Sequence, residues 1–81
     1  MSKQHELKIL PVHFNAVVAG KKRAELRKFD RGYSEGDTLL LREWTEEGGY
    51  TGKIIRVEVT HIANVGEYAP RYLLLSFIVL S

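Results

Sequence analysis

Lys21, Lys22, Arg23, Glu25, Arg27, Phe29 and Arg31 lie within one short segment, Gly-Lys-Lys-Arg-Ala-Glu-Leu-Arg-Lys-Phe-Asp-Arg from Gly20 to Arg31. Their chemistry is that of an anion-binding, base-reading surface. Lysine offers a mobile point charge to a phosphate, and Arg27 offers a planar fork for bidentate contact. Glu25 and Arg27 stand two apart, so on a strand they share a face. A carboxylate beside a guanidinium can accept from an exocyclic amine and donate to a carbonyl of a base. Phe29, two residues further, extends that face and can stack a splayed base. Six of the twelve Lys and Arg residues fall between Lys21 and Arg31 and only Glu25 and Asp30 oppose them, a local charge of +4 in a chain of net charge +2. The remainder is therefore net acidic, and the segment makes a localised positive spot.

A plainer reading stands beside this one. Glu25 and Arg27 can pair with partners such as Arg56 and Glu58 and simply hold the fold together. Tyr33 and Trp44 are further stacking candidates, yet Phe29, Tyr33 and Trp44 each read first as core or cleft wall, and Trp44 follows a buried strand.

Other chemistries find little support. His5, His13 and His61 are far apart and form no ligand pair at helical spacing, so no metal site is expected and each reads as a structural or surface histidine. Gly48-Gly49 lacks the Lys-Ser/Thr of a phosphate loop. With no cysteine there is no thiolate nucleophile, no disulfide and no thiolate zinc site. No serine has a histidine partner in a recognisable motif. No cofactor is implied.

The elements that must position the basic segment follow from periodicity. His5–Leu10 alternates polar and apolar residues and reads as a half-buried strand. Pro11 opens a helix over Pro11–Ala19 with Phe14, Val17 and Val18 as its apolar stripe, and Gly20 sits where a C-cap belongs. Ala24–Phe29 reads as a second strand, with Ala24, Leu26 and Lys28 on one face and Glu25, Arg27 and Phe29 on the other. Arg31–Asp37 is a loop, and Thr38–Trp44 is a third strand. The glycine-rich Glu46–Gly52 turn joins it in a hairpin to Lys53–Ile62. There Ile55, Val57 and Val59 share one face, and Ile54, Arg56, Glu58 and Thr60 the other. Ala63–Arg71 is a loop or short helical turn. Tyr72–Leu80 is a β-branched and aromatic strand expected to be central or barrel-closing.

The fold class is therefore α+β and mainly β, a small barrel of five to six strands with one main helix after the first strand, occupying residues 1–81 as one domain. A composition of 44% apolar and 27% charged residues is that of an ordered globular domain. The polar N-terminus lacks a signal-peptide apolar region. The longest apolar run, Tyr72–Leu80, is too short to span a membrane as a helix. The expectation is a cytoplasmic protein with no membrane partner.

The spacing Leu7-Lys8-Ile9, Phe14, Val17, Gly20-Lys21-Lys22, Glu25-Leu26-Arg27, Asp30-Arg31, Gly36-Asp37, Leu39, Leu41-Arg42-Glu43-Trp44 and Gly49-Tyr50-Thr51-Gly52 resembles the DUF3850 family, an ASCH-like branch of the PUA-like β-barrels. The likeness runs from His5 to about Ile62. The ASCH hallmark, a helix ending in Gly-x-Lys followed by a strand carrying a charged residue and Arg, maps onto Gly20, Lys22, Glu25 and Arg27. The resemblance implies a PUA-like barrel with a cleft beside the first helix and a role in recognising RNA or modified nucleotides.

Three functions are carried forward. The first is binding of RNA or a nucleotide: Lys21, Lys22 and Arg23 hold phosphate, Glu25 and Arg27 read the base, Phe29 stacks, and Arg31 and Arg56 extend the positive rim. The second is a small amidohydrolase acting on an acylated nucleoside, as some ASCH proteins resemble. There Lys22 takes the lysine position and Glu58 can stand for the later acid, but Glu25 occupies the position of the threonine nucleophile. A carboxylate cannot replace that hydroxyl without changing the mechanism, so binding is preferred to catalysis. The third is a protein-interaction module built on the apolar terminal strand. Closure of the barrel would use both faces of that strand, which favours a monomer.

Overall fold

The computed structural model describes residues 2–80; Met1 and Ser81, the ends of the expected domain, lie outside the described residues. The elements follow in the order β1 (Gln4–Ile9), α1 (Pro11–Val18), β2 (Ala24–Lys28), β3 (Thr38–Thr45), β4 (Gly49–Asn64) and β5 (Tyr72–Val79). The mainly β, single-helix architecture expected from periodicity is present, and the five strands form one sheet curled into a half-barrel. Their spatial order is β1-β3-β4-β5-β2, with β1 parallel to β3 and every other pair antiparallel. The sheet keeps two edges, β1 and β2. Edge β2 is short and reads Ala-Glu-Leu-Arg-Lys, and charges of this kind discourage pairing with another chain.

Alternation decides which side chains reach the inside. Leu7 and Ile9 of β1, Leu39 and Leu41 of β3, Ile55, Val57 and Val59 of β4, and Leu73, Leu75 and Phe77 of β5 line the concave face, where Phe14 and Val17 of α1 join them. Each such side chain contributes about 1.5–3 kcal/mol by leaving water. A bulge at Thr60 breaks the register between Val59↔Phe77 and His61↔Ser76. Beyond it the inward residue becomes Ile62, which packs on the core, so one long strand serves β3 with its first half and β5 with its second.

Two expectations change. Trp44 is not a core residue: at that end of β3 the buried residue is Glu43, and Trp44 is half-buried beneath Lys8, whose Nζ lies 4.3 Å from the ring centroid. Strand β5 is central, lying between β4 and β2, but it does not bury both faces. Leu74 and Ser76 are only half-buried and Ile78 is exposed, because an open half-barrel covers the inside of its sheet alone.

Gly20 ends the helix as its position suggested. It adopts φ +75°, the left-handed state that glycine enters without a Cβ penalty. Gly20 N donates to Val17 O at 3.0 Å and Lys21 N to Ala16 O at 2.9 Å. This is a Schellman ending, and it turns the chain sharply toward β2 with Lys21, Lys22 and Arg23 at the bend.

Candidate functional site

The bend is held against the sheet by its backbone. Phe77 N donates to Arg23 O at 3.0 Å, and Ala24 stands opposite Ser76. Between the bend and the end of β5 lies a cleft of about 260 Å³ lined by Gly20, Lys22, Arg23, Phe77, Ile78 and Val79. Arg23 is steadied by a hydrogen bond from its Nε to Gly20 O at 3.3 Å. At the mouth Lys22 Nζ stands 3.3 Å from Glu25 Oε1, with the lysine side chain 26% and the glutamate 11% exposed.

Strand β2 thus turns its polar face inward. Glu25 is buried while Leu26, its neighbour, is exposed. Glu25 lies across from Leu75, which in turn faces Ile62, so the carboxylate sits among apolar groups with the Lys22 ammonium as its counter-charge. An ammonium has three donors, and a single carboxylate oxygen at 3.3 Å engages at most one. The lysine therefore keeps donors for a ligand in the cleft.

The two ends of β2 separate the basic segment. Lys22 and Arg23 line the cleft, with Lys21 beside them on the bend and Glu25 joined to it through Lys22. Arg27, Phe29 and Arg31 gather at the far end, where Lys28 stands opposite Tyr72 and Arg27 opposite Leu73. Glu25 and Arg27 do share a face, but Phe29 lies beyond the strand and is 60% exposed, which removes its core reading. Arg56 and Glu58 alternate with the buried Val57 and Val59 and so stand on the outer face. The cross-strand pairing of Glu25 and Arg27 with Arg56 and Glu58 is not formed: the partner of Glu25 is Lys22. The same placement puts Glu58 on the opposite face from Glu25, so Lys22, Glu25 and Glu58 do not converge.

Other polar groups are structural. His5 is buried and its Nε2 donates to Asp37 Oδ2 at 2.8 Å. Asp37, 1% exposed, also accepts from Lys3 N at 3.0 Å and Ser34 N at 2.9 Å. Burial raises the Asp37 pKa, but these bonds outweigh it and hold the carboxyl below its ordinary value. Tyr33 is buried with its ring 4.8 Å from that of His5, which settles it as core. Glu43 is buried and accepts from the Thr51 hydroxyl at 2.8 Å, pinning the irregular start of β4. The sequence reading missed this acid because the run Leu39-Leu40-Leu41 masks the alternation that turns Glu43 inward. Among the described residues no cluster of three or more His, Asp or Glu could hold a metal. No helix there is long and apolar enough to cross a membrane.

The sequence reading also passed over Arg71. It is the one non-glycine residue with positive φ, at +67°, among the described residues. It follows Pro70 in a loop, and no local pattern announces its backbone state.

Residues 4–79 match the family model described as "Domain of unknown function (DUF3850)". A protein of Escherichia phage P2, named "Uncharacterized 12.9 kDa protein in GpA 3'region", is 43% identical over 75 residues, which is 93% of this chain and 68% of the relative.

Proposed function

The chain belongs to the DUF3850 family, and we propose that its Lys22–Glu25 cleft binds a nucleotide or a segment of RNA. The observation that carries this reading is the ion pair of a partly exposed Lys22 with a buried Glu25 beside a cleft floored by Phe77 and Val79. Lys22 and Arg23 supply charge for a phosphate, the apolar floor supplies a surface for a base, and Glu25 supplies an acceptor for an exocyclic amine. The cleft, about 260 Å³, falls just under the roughly 300–1,000 Å³ of drug-sized ligand sites, which suits one nucleoside-sized group. The half-barrel and the helix ending at Gly20 also support an ASCH-like, PUA-like ancestry for the fold. On this reading the protein works in the cytoplasm, where RNA is at hand.

Hydrolysis of an acylated nucleoside is the weaker alternative, since its acid, Glu58, stands on the other face of the sheet. The test is a proton–nitrogen NMR titration with mononucleotides and short RNA at low and high salt. Shifts confined to Gly20–Glu25 and Phe77–Val79 that weaken with salt, and that vanish in Lys22→Gln, are expected. Shifts scattered over the surface would sink the reading.

A further inference from the structure

The far end of β2 carries a second basic surface, and its aromatic rings are free. Phe29 N donates to Arg71 O and Lys28 stands opposite Tyr72. These contacts join the end of β2 to the start of β5. Tyr68 N donates to Val65 O at 2.9 Å and Tyr72 N to Ala69 O at 3.0 Å, which folds the loop back so that Tyr68 and Arg71 belong to the same corner. Phe29 is 60% and Tyr68 87% exposed.

The charges at this corner are equally unspent. Lys28 and Arg71 enter no ion pair among the described residues, and Arg31 meets only its exposed neighbour Asp30 at 3.4 Å. Elsewhere on the protein cations and rings satisfy one another: Lys8 covers Trp44, and Arg42 lies 4.0 Å from the Tyr50 centroid. Here they do not. Arg71 moreover occupies a left-handed backbone state that a glycine would hold more cheaply.

We propose that this corner is a second subsite, for single-stranded nucleic acid, in which Phe29 and Tyr68 stack bases while Lys28, Arg31 and Arg71 hold phosphates. Exposed rings interleaved with free cations are what sequence-tolerant single-strand binding uses. The inference rests on the cleft reading and extends it: one strand runs along edge β2, with a nucleotide in the Lys22 cleft at one end and bases on the corner at the other. Ala24 and Lys28, the ends of β2, are about 13 Å apart at the rise of a strand. A mononucleotide in the cleft therefore does not reach the corner, whereas an oligomer does.

The experiment measures binding of CMP, whose base carries an exocyclic amine, by NMR, and of labelled short oligocytidylate and oligodeoxycytidylate by fluorescence anisotropy, to wild type, Phe29→Ala, Arg71→Gly and Lys22→Gln. Phe29→Ala should weaken both oligomers about five-fold or more, the low end for one stacked base. Arg71→Gly should melt no lower than wild type, because glycine suits its φ, and should lower the salt slope by about one. Neither variant should alter CMP binding, whereas Lys22→Gln should weaken every ligand. Loss with RNA alone would also support the subsite and assign part of its selectivity to the 2′-hydroxyl. Oligomer binding unchanged in both corner variants would overturn the subsite and leave the cleft reading intact. Oligomer binding that needs Phe29 and Arg71 but not Lys22 would overturn the cleft reading and keep the corner. A wild type that binds neither CMP nor oligomers would overturn both.

Discussion

His5–Asp37 and Lys22–Glu25 are both polar pairs on the concave side of the same half-barrel, yet they differ in what they leave open. Asp37 accepts three hydrogen bonds, from His5, Lys3 and Ser34, and at 1% exposure it is closed to an outside partner. Lys22 meets one carboxylate at 3.3 Å and faces a cleft. A buried pair closed to solvent specifies the fold, by tying the start of β1 to the loop before β3. A pair with spare donors at a cavity mouth can take a ligand. The difference lies in the count of partners, since both pairs are built from ordinary residues.

The sharpest break in that comparison is Asp37→Ala. It leaves the His5 ring and two backbone N–H groups without their acceptor, so the fold should lose about 3 kcal/mol or more. Urea unfolding followed by circular dichroism measures this. A loss below about 1 kcal/mol would place Asp37 with ordinary surface pairs and remove the distinction.

Acid titration tests the same pair in the wild type. Asp37 is held below its ordinary value in the folded protein, so the unfolded chain takes up the proton first as pH falls. Its contribution is present in full above the unfolded pKa and is lost as pH falls through the folded one, a window lying below about pH 4. Melting temperature should therefore fall in that window, and the Asp37→Asn protein should show a flatter acid limb. Equal acid limbs would mean that other carboxylates set the response.

Glu25→Gln approaches the comparison from the other side. Lys22 is partly open to solvent and glutamine keeps an acceptor for its ammonium, so the stability change should not exceed about 1 kcal/mol, while the preference among nucleotides in the cleft should change. A large loss of stability with no change in binding would move Glu25 to the structural class beside Asp37.

Much of this was legible before the fold was known, for identifiable reasons. The helix stripe of Phe14 and Val17, the ending at Gly20 and the inward row of Ile55, Val57 and Val59 are local periodicities, and local periodicity survives folding. The identity of the inward face on β2 was not legible. Leu26 is the apolar residue and yet lies outside, because only the inner side brings Glu25 to Lys22. The split of the basic segment was hidden as well. A run of charges is continuous in sequence, but a five-residue strand carries its ends to opposite corners. Arg71 joins the far corner through a long-range backbone bond to Phe29, and no short-range pattern encodes such a bond.

The smallest effect belongs to Lys8, and it closes the comparison on the outer face. Its ammonium lies over Trp44 at 4.3 Å, an arrangement that contributes about 0.5–1 kcal/mol at an exposed site. The ring is therefore already covered by the protein's own cation, as Asp37 is already covered by its own donors. Lys8→Ala should lower stability by about that amount and should leave nucleotide and oligomer affinity unchanged apart from a slight overall weakening from the lost charge. Trp44 is the largest aromatic side chain in the protein and on composition alone the first choice for stacking a base. If Lys8→Ala instead strengthened oligomer binding, the uncovered ring would be acting as a platform. Partner count would then no longer separate the groups that hold the fold from those that can take a ligand.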